Sequence, residues 1–293
     1  MTANIGGTEW MGWNEREALA TDVFGSVPAD IVGFQEFGKD VDTLTPLQQK
    51  RPEFDFYLGE IARDSFDKEI YVNPIAYDRR LFTQEAADTF WLSEDGSQKP
   101  SWDDLVVRAA SWVLLSHLET STKLLFVNTH LDNIGRVARN IGARLVLQFI
   151  ESFVRERFEE SLPVVLTADS NMSTSDPFGR WNDPERRSWE DADMRAPYSL
   201  FMEAGFKDAW VEAHPAAPGE KPKRPGTFHD FKGPGYAGDG WGTYDTEWIL
   251  VRNLGVTDAS LVLDSRDGRY PSDHYWMTAE LQLPAPIDTA IRP

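Results

Sequence analysis

Cysteine is absent from this chain of 293 residues. That removes disulfides, thiolate metal ligands and cysteine nucleophiles, while leaving the compartment undecided. Cationic charge is also short, with 29 Lys and Arg against 48 Asp and Glu and a formal net charge of -19. A field of that sign repels polyanions and anionic membranes and attracts divalent cations. No basic stripe interrupts it. A bound cation reverses the sign locally, so the exclusion concerns extended polymers rather than phosphate chemistry. No apolar run approaches the roughly 20 residues of a membrane span. The start, Met1-Thr-Ala-Asn-Ile5, has neither the basic nor the apolar region of a secretory leader. A cytoplasmic location is therefore the default expectation, with secretion or a periplasmic location left open if an upstream segment has been removed. No internal repeat, low-complexity linker or evident protein-partner motif is present.

What remains is ample for folding. An apolar fraction of 41% with 12% aromatics supports a packed core, and regular stretches succeed one another throughout, so 1–293 is predicted to be one domain. Asn14 to Phe24 reads as a helix closed by Gly25 and Pro28. Asp30-Ile-Val-Gly-Phe34 reads as a strand ending at Gln35-Glu36, and further strands are predicted at 54–59, 70–77, 87–92, 107–118, 244–252 and 256–263. The clearest helix covers about 134–158, where Ile134, Val137, Ile141, Leu145, Phe149 and Phe153 recur at helical spacing. Two stretches, 172–196 and 214–242, read as long loops. Hairpin-like strands with few intervening helices imply an α+β fold, a four-layer α/β/β/α sandwich of two mixed sheets flanked by helices.

Three short polar segments sit at the edges of apolar runs. Asn128-Thr-His-Leu-Asp132 follows Leu124-Leu-Phe-Val127, Ala168-Asp-Ser-Asn171 follows Pro163-Val-Val-Leu166, and Ser272-Asp-His274 precedes Tyr275-Trp-Met277. Acid, amide and imidazole groups at strand ends can be held around one point by a rigid sheet. That is the composition of a hydrolytic metal site.

Taken in order, Asn4, Gln35-Glu36, Asn128 to Asp132, Asp169-Ser-Asn171, Glu247-Trp-Ile-Leu250 and Ser272-Asp-His274 resemble the motifs of the endonuclease/exonuclease/phosphatase superfamily. That group includes deoxyribonuclease I-like nucleases, abasic-site endonucleases, deadenylases, sphingomyelinases and inositol-polyphosphate phosphatases. The resemblance runs from Met1 to about Leu283. Trp13-Asn-Glu-Arg16, Asn73-Pro-Ile-Ala-Tyr77, Gly226-Thr-Phe-His229 and Tyr270-Pro-Ser-Asp-His274 are similar to a bacterial and fungal branch of small single-domain members. The resemblance implies phosphoester chemistry and leaves the substrate open.

Roles follow from the residue types. Attack on a phosphoester is slow because the nucleophile meets negative charge, and a hard divalent cation held by oxygens relieves it. Mg²⁺ or Mn²⁺ is expected, with Glu36 as the main ligand, Asn4 as a neutral oxygen beside it and Asp273 completing the shell. Asp169 and Asn171, two apart in extended chain, point to one face. Asp169 is expected to orient or deprotonate the attacking water, and Asn171 to donate to a phosphoryl oxygen. The pair also matches the family's Gly-Asp-Phe-Asn motif, with Ala168 and Ser170 at its other positions. His274 is expected to act as general base or as an electrophilic phosphate contact, and His130 to steady developing charge. The family usually has Asp where this chain has Glu247, so the carboxylate partner of His274 should sit differently, with Asp245 available to share that role.

His229 is either a pocket residue, as the resemblance implies, or a loop imidazole. His117 is expected in the sheet and His214 in solvent. Arg108 and Trp112 are candidates to line the pocket, Arg108 equally for a plain ion pair. Trp91, Trp102 and Trp241, with Tyr198 and Phe228, form an aromatic set suited to a flat or apolar substrate group, or to core packing. The expected activity is hydrolysis of a small phosphodiester or phosphomonoester. The alternatives are a nuclease or deadenylase acting on single-stranded nucleic acid, disfavoured by the charge, and a catalytically inactive binding module.

Overall fold

The computed structural model describes residues 1–158, 162–172, 197–220, 222–236 and 245–284. In chain order the elements are β1 (Thr2–Gly7), α1 (Trp13–Ser26), β2 (Ile31–Gly38), α2 (Leu44–Lys50), β3 (Phe54–Tyr57), β4 (Ile61–Arg63), β5 (Glu69–Tyr71), β6 (Ile75–Asp78), β7 (Phe82–Trp91) and β8 (Ala109–His117). They continue with β9 (Lys123–His130), α3 (Arg136–Phe158), β10 (Val164–Asp169), α4 (Pro197–Glu203), β11 (Lys207–Asp208), α5 (Ala209–Ala213), β12 (Glu247–Arg252), β13 (Gly255–Val262) and β14 (Trp276–Gln282).

Strand alternation decides the layering. In β9, Leu125 and Val127 pack outward with Val146, Ile150 and Phe153 of α3, whereas Leu124 and Phe126 pack inward with Ile75 and Met277 of the other sheet. In β2, Val32 and Phe34 face outward onto Trp13, Val23 and Phe24 of α1 and Leu47 of α2. Each sheet thus buries one face against the other sheet and one against helices, giving the α/β/β/α sandwich. One sheet runs β13-β14-β1-β2-β5-β4, with β6 also on β2 and β3 on β6; the other runs β11-β12-β10-β9-β8-β7. Both are mixed, because β1 pairs with β2 and β9 with β10 in parallel while their other neighbours are antiparallel.

A polar seam crosses between the sheets beneath one rim. Asn128 donates to the carbonyls of Phe34 (2.8 Å) and Pro74 (3.1 Å), and its Oδ1 accepts from Gln35 (2.6 Å) and Thr167 (3.0 Å). Asn128 is therefore a bolt between sheets. Gly33 permits this approach, since a Cβ there would lie 2.2 Å from Thr167 Oγ1 and 2.6 Å from Asn128 Oδ1.

The strand predicted over 70–77 is two strands, β5 and β6. Asn73, before Pro74, adopts φ 48° and donates its amide to the Ala109 carbonyl at 2.7 Å, turning the chain between them. Helix α2 and the short α4, α5 and β4 have too few residues for a periodic signal and were not foreseen. The predicted loop 172–196 falls outside the described residues except for Met172, and so do 221 and 237–242 of the second loop.

Candidate active site

The site forms where β1, β2, β9, β10, β12 and the segment before β14 end at one rim. Parity explains much of it: Thr167 and Asp169 share the inward face of β10 with Val165, and Asn128 and His130 share that of β9 with Phe126. The β9–β10 register sets Asp169 opposite His130, and the β10–β12 register sets it opposite Glu247. Three chemistry-bearing side chains are thus brought together by two strand pairings.

Glu36 reaches the same point by breaking the alternation. It sits at φ 53°, and the β1–β2 register shifts between Asn4 and Gly7, where Gly6 is at φ 52°. A left-handed conformation costs a residue with a Cβ about 1–2 kcal/mol, and strain of this kind accumulates at functional sites. Phe34 and Phe37 both remain on the outer face, so the bulge turns Glu36 to the cleft without surrendering the core.

Asp169 is buried and fully engaged. Its Oδ2 accepts from Asn4 Nδ2 at 2.9 Å and lies 3.5 Å from His130 Nε2 and 3.8 Å from His274 Nε2; its Oδ1 accepts from the Asn171 N–H at 3.0 Å. Burial acts to raise this carboxyl, but the neighbouring His130 and His274 rings and the N–H donors of Asn4 and Asn171 outweigh it and hold it below the usual range. Asn4 donates to Asp169 while its own carbonyl oxygen accepts from Gly6 N at 3.1 Å. It therefore orients Asp169 in this structure.

The two central histidines are in opposite states. His274 Nδ1 is 2.5 Å from Glu247 Oε1, and Thr246 Oγ1 donates to Glu247 Oε2 at 3.0 Å. Burial would lower the His274 pKa, yet Glu247, Asp273 and Asp169 raise it well above the ordinary value, so the ring is an imidazolium. His130 is pushed down to about 3 by burial and by Arg108, so its ring is neutral. A neutral Nε2 accepts from Asn171 Nδ2 at 2.7 Å, and the same amide also donates to the Leu131 carbonyl at 3.0 Å.

The expected sharing of His274 by Asp245 is not found. Asp245 Oδ2 is bound by Arg224 Nε at 2.9 Å, and Arg224 also pairs with Asp208 and the Glu247 carbonyl. Glu247 reaches the imidazole unaided, its extra methylene spanning the gap from an inward position on β12.

Two carboxylate groupings are candidates for a cation. Asp169, Glu247 and His274 offer ligand atoms within 4.8 Å of one another, but the Glu247 oxygens are taken by His274 and Thr246. Glu36 is different: Oε2 is buried without a hydrogen-bond partner. Burial, then Asp273 and Asp169, push its carboxyl up to about 7. A buried carboxylate oxygen without a hydrogen-bond partner, set among acids, fits a bound cation.

Solved structures share this arrangement of strands. The endonuclease/exonuclease/phosphatase from Bacteroides vulgatus superposes over 97% of both chains with a TM-score of 0.72 at 24% identity. The mannosyl-6-phosphatase of Bacteroides thetaiotaomicron matches over 96% of this chain and 97% of its own, with a TM-score of 0.70 at 23% identity. D. rerio TDP2, complexed with single strand DNA product, matches over 96% and 97% with a TM-score of 0.65 at 15% identity. The chain has the deoxyribonuclease I-like fold. No family model and no curated protein matches its sequence.

In this deoxyribonuclease I-like chain the rim opens into a cleft of about 390 Å³, lined by Glu36, Asp169, Asn171, His130, His274 and Asp273 among others. Arg108 lines it too, while its Nε pairs with Asp132 at 3.2 Å and its Nη2 donates to Asn133 at 3.0 Å. Both readings of Arg108 therefore hold together. His229 does not line the cleft. Its neighbours Phe228 and Asp230 do, whereas its ring is buried 4.1 Å from Tyr275 and 4.7 Å from Tyr270, with Nδ1 accepting from Gly233 N at 3.3 Å. Trp112 likewise packs outward on Phe149 and Phe153. Of the expected aromatic set, Phe228 lines the cleft, Trp91 and Tyr198 pack elsewhere, Trp102 is exposed away from the cleft lining, and Trp241 lies outside the described residues. His214 stacks on Trp210 at 4.0 Å, and His117 binds the Thr120 hydroxyl at 3.0 Å. Sequence reasoning missed Trp10, Met11, Arg63, Tyr71, Leu105 and Phe231, all cleft residues on a 3-10 turn, loops or short strands with no periodic signal. It also named Arg16 only for resemblance. Arg16 is buried, donates to the carbonyls of Gly6 (2.6 Å), Ile5, Met11 and Pro271, and ties the β1 bulge to the chain leading to Asp273.

Proposed function

We propose that the chain is a divalent-metal-dependent phosphoesterase of the endonuclease/exonuclease/phosphatase superfamily, hydrolysing a small phosphodiester or phosphomonoester by in-line attack of water. One observation carries the reading: the buried, unpartnered Glu36 Oε2 beside Asp273, adjoining an imidazolium held by Glu247 and an anionic Asp169. A set of carboxylate oxygens without thiolates fits a hard cation such as Mg²⁺ or Mn²⁺. Glu36 and Asp273 would hold it, and Asn4 contributes by orienting Asp169. When bound, such a cation neutralises charge on the phosphoester and on the leaving oxygen.

The remaining chemistry belongs to the chain. Asp169 is anionic and takes the proton of the attacking water as the oxygen–phosphorus bond forms and the ester bond breaks. The leaving oxygen is reprotonated from solvent at the cleft mouth. His274 is already protonated, which supports its role as an electrophilic phosphate contact rather than a base. A phosphoryl oxygen that reaches Asn171 takes over the hydrogen bond now accepted by His130. His130 thereby positions the amide beforehand.

A small ester is favoured over a polymer by the net charge of -19. The single-stranded nuclease reading has one observation in its favour, the likeness to TDP2 with its single strand DNA product. The intact set Glu36, Asp169, Asn171 and His274 argues against an inactive binding module. Incubating the protein with small phosphoesters and with labelled oligonucleotides, in Mn²⁺, Mg²⁺ or EDTA, tests these readings. Metal-dependent release of phosphate or alcohol that falls at least about 100-fold in Asp169→Asn is expected. Robust oligonucleotide cleavage without small-ester turnover would reject the preferred substrate class.

A further inference from the structure

Among the described residues, eight large apolar side chains are exposed, and four of them gather at the cleft. Trp10 (49% exposed), Leu105 (69%) and Ile134 (40%) line it, and Phe66 (56%) packs against Trp10 with tilted rings, centroids 4.7 Å apart. Scattered exposed apolar residues need no explanation, but a cluster around a polar catalytic cleft does. They come from four separate segments: the turn after β1, the β4–β5 turn, the β7–β8 connection and the lead into α3.

Trp10 is also fixed in place. Its Nε1 donates to Asp64 Oδ2 at 3.1 Å, while Asp64 Oδ1 accepts from the N–H groups of Phe66 (2.8 Å) and Lys68 (2.9 Å). One aspartate thus closes the β4–β5 turn, sets Phe66 behind the indole and pins the indole's polar edge. An indole held with half its surface in water is pre-organised for a flat apolar ligand, because its ordering cost has already been met by the fold.

We propose that this rim determines specificity: the phosphoester cleaved here carries a flat apolar group on its alcohol, and that group stacks on Trp10 beside Leu105 and Ile134. The inference rests on the phosphoesterase reading for the position of the phosphate. The volume of about 390 Å³ lies near the lower end of small-ligand pockets, room for a phosphate and one ring system. Of the aromatic set expected from sequence Phe228 lines the cleft, while Trp91 and Tyr198 pack away from it and Trp10 joins the lining instead.

The test compares 2-phenylethyl phosphate with ethyl phosphate, two alkyl esters with leaving alcohols of similar acidity, on the full chain with Mn²⁺. Binding is measured by calorimetry and turnover by phosphate release, for the wild type, Trp10→Ala and Trp10→Phe, with melting curves to verify folding. The wild type is expected to favour the phenylethyl ester about tenfold or more in both readouts. Trp10→Ala should bring that ratio close to one, and Trp10→Phe should restore most of it. Equal binding of the two esters by the wild type, or an unchanged ratio in Trp10→Ala, overturns the proposal while leaving phosphoesterase activity standing. Trp10-dependent preference in binding without turnover of either ester upholds the rim and rejects phosphomonoester hydrolysis, leaving the phosphodiester. Trp10-dependent cleavage of a single-stranded oligonucleotide with no discrimination between the esters overturns it in favour of base stacking.

Discussion

Replacing Glu36 by glutamine should stabilise the metal-free protein. In the fold this carboxyl is pushed from 4.5 up to about 7 by burial and by Asp273 and Asp169, and its Oε2 has no partner. A carboxyl whose folded pKa is raised holds its proton more tightly in the folded than in the unfolded state. No penalty exists below pH 4.5, where both states are protonated, and it grows as pH rises through about 7. At pH 8 the rise corresponds to about 3 kcal/mol. Glutamine keeps the shape without the charge. Metal-free Glu36→Gln is therefore expected to melt higher than wild type at pH 8, by up to about 5 °C for a chain of this length, with the difference vanishing near pH 4. Saturating Mn²⁺ reverses the order, because the wild type gains stability by mass action and the variant gains little. Scanning calorimetry in EDTA and in Mn²⁺ at both pH values reads this directly. A lower melting temperature for Glu36→Gln in EDTA at pH 8, or undiminished Mn²⁺ stabilisation, refutes Glu36 as an acid waiting for a cation.

Other expectations concern neighbouring groups. Glu247→Gln should lower kcat/KM by about 10²–10⁴ through loss of the imidazolium, while Mn²⁺ affinity by calorimetry changes little; a tenfold loss of affinity would instead place Glu247 among the metal ligands. His229, pushed down to about 4 by burial and His274, is neutral in the fold. Its unfolded form binds the extra proton first, so stability is lost as pH falls from 6.5 to 4, by about 3 kcal/mol. NMR titration of its ring should show no protonation at pH 5.5, and an ordinary midpoint would contradict the burial. Arg224→Met removes the guanidinium that the buried Asp208 and Asp245 share, for an expected loss of about 3–5 kcal/mol by urea denaturation. Gly33→Ala should cost about 1–3 kcal/mol, because the methyl meets Thr167 and Asn128 across the seam; a neutral effect would show that the sheets can part there.

The strand-end clusters were legible because two local rules coincide at them. Apolar runs of strand length mark the buried sheet, and polar residues at a run's end emerge where the sheet stops. Together with the resemblance to the endonuclease/exonuclease/phosphatase superfamily, that was enough to name Glu36, His130, Asp169, Asn171 and His274, which the cleft does bring together. Periodicity also foretold α3, whose apolar stripe spans six turns. The layering followed from the scarcity of crossover helices.

Tertiary structure alone decided the rest, since strand parity gives the face a side chain takes but not what meets it across the sandwich. Spacing predicts Asp245 on one face with Glu247, yet it precedes β12, and Arg224, 21 residues earlier in the chain, captures it. His229 sits one residue from Phe228 and Asp230, and that single step turns it from the cleft into an aromatic nest. The protonation states of His130 and His274 depend on groups from separate segments, burial and Arg108 for one and Glu247 for the other. Trp10 becomes a surface only because Asp64, 54 residues onward, holds its indole. Composition and spacing therefore determined which groups could do chemistry here. Long-range contacts, which leave no periodic trace in the chain, decided their charge, their orientation and the apolar rim beside them.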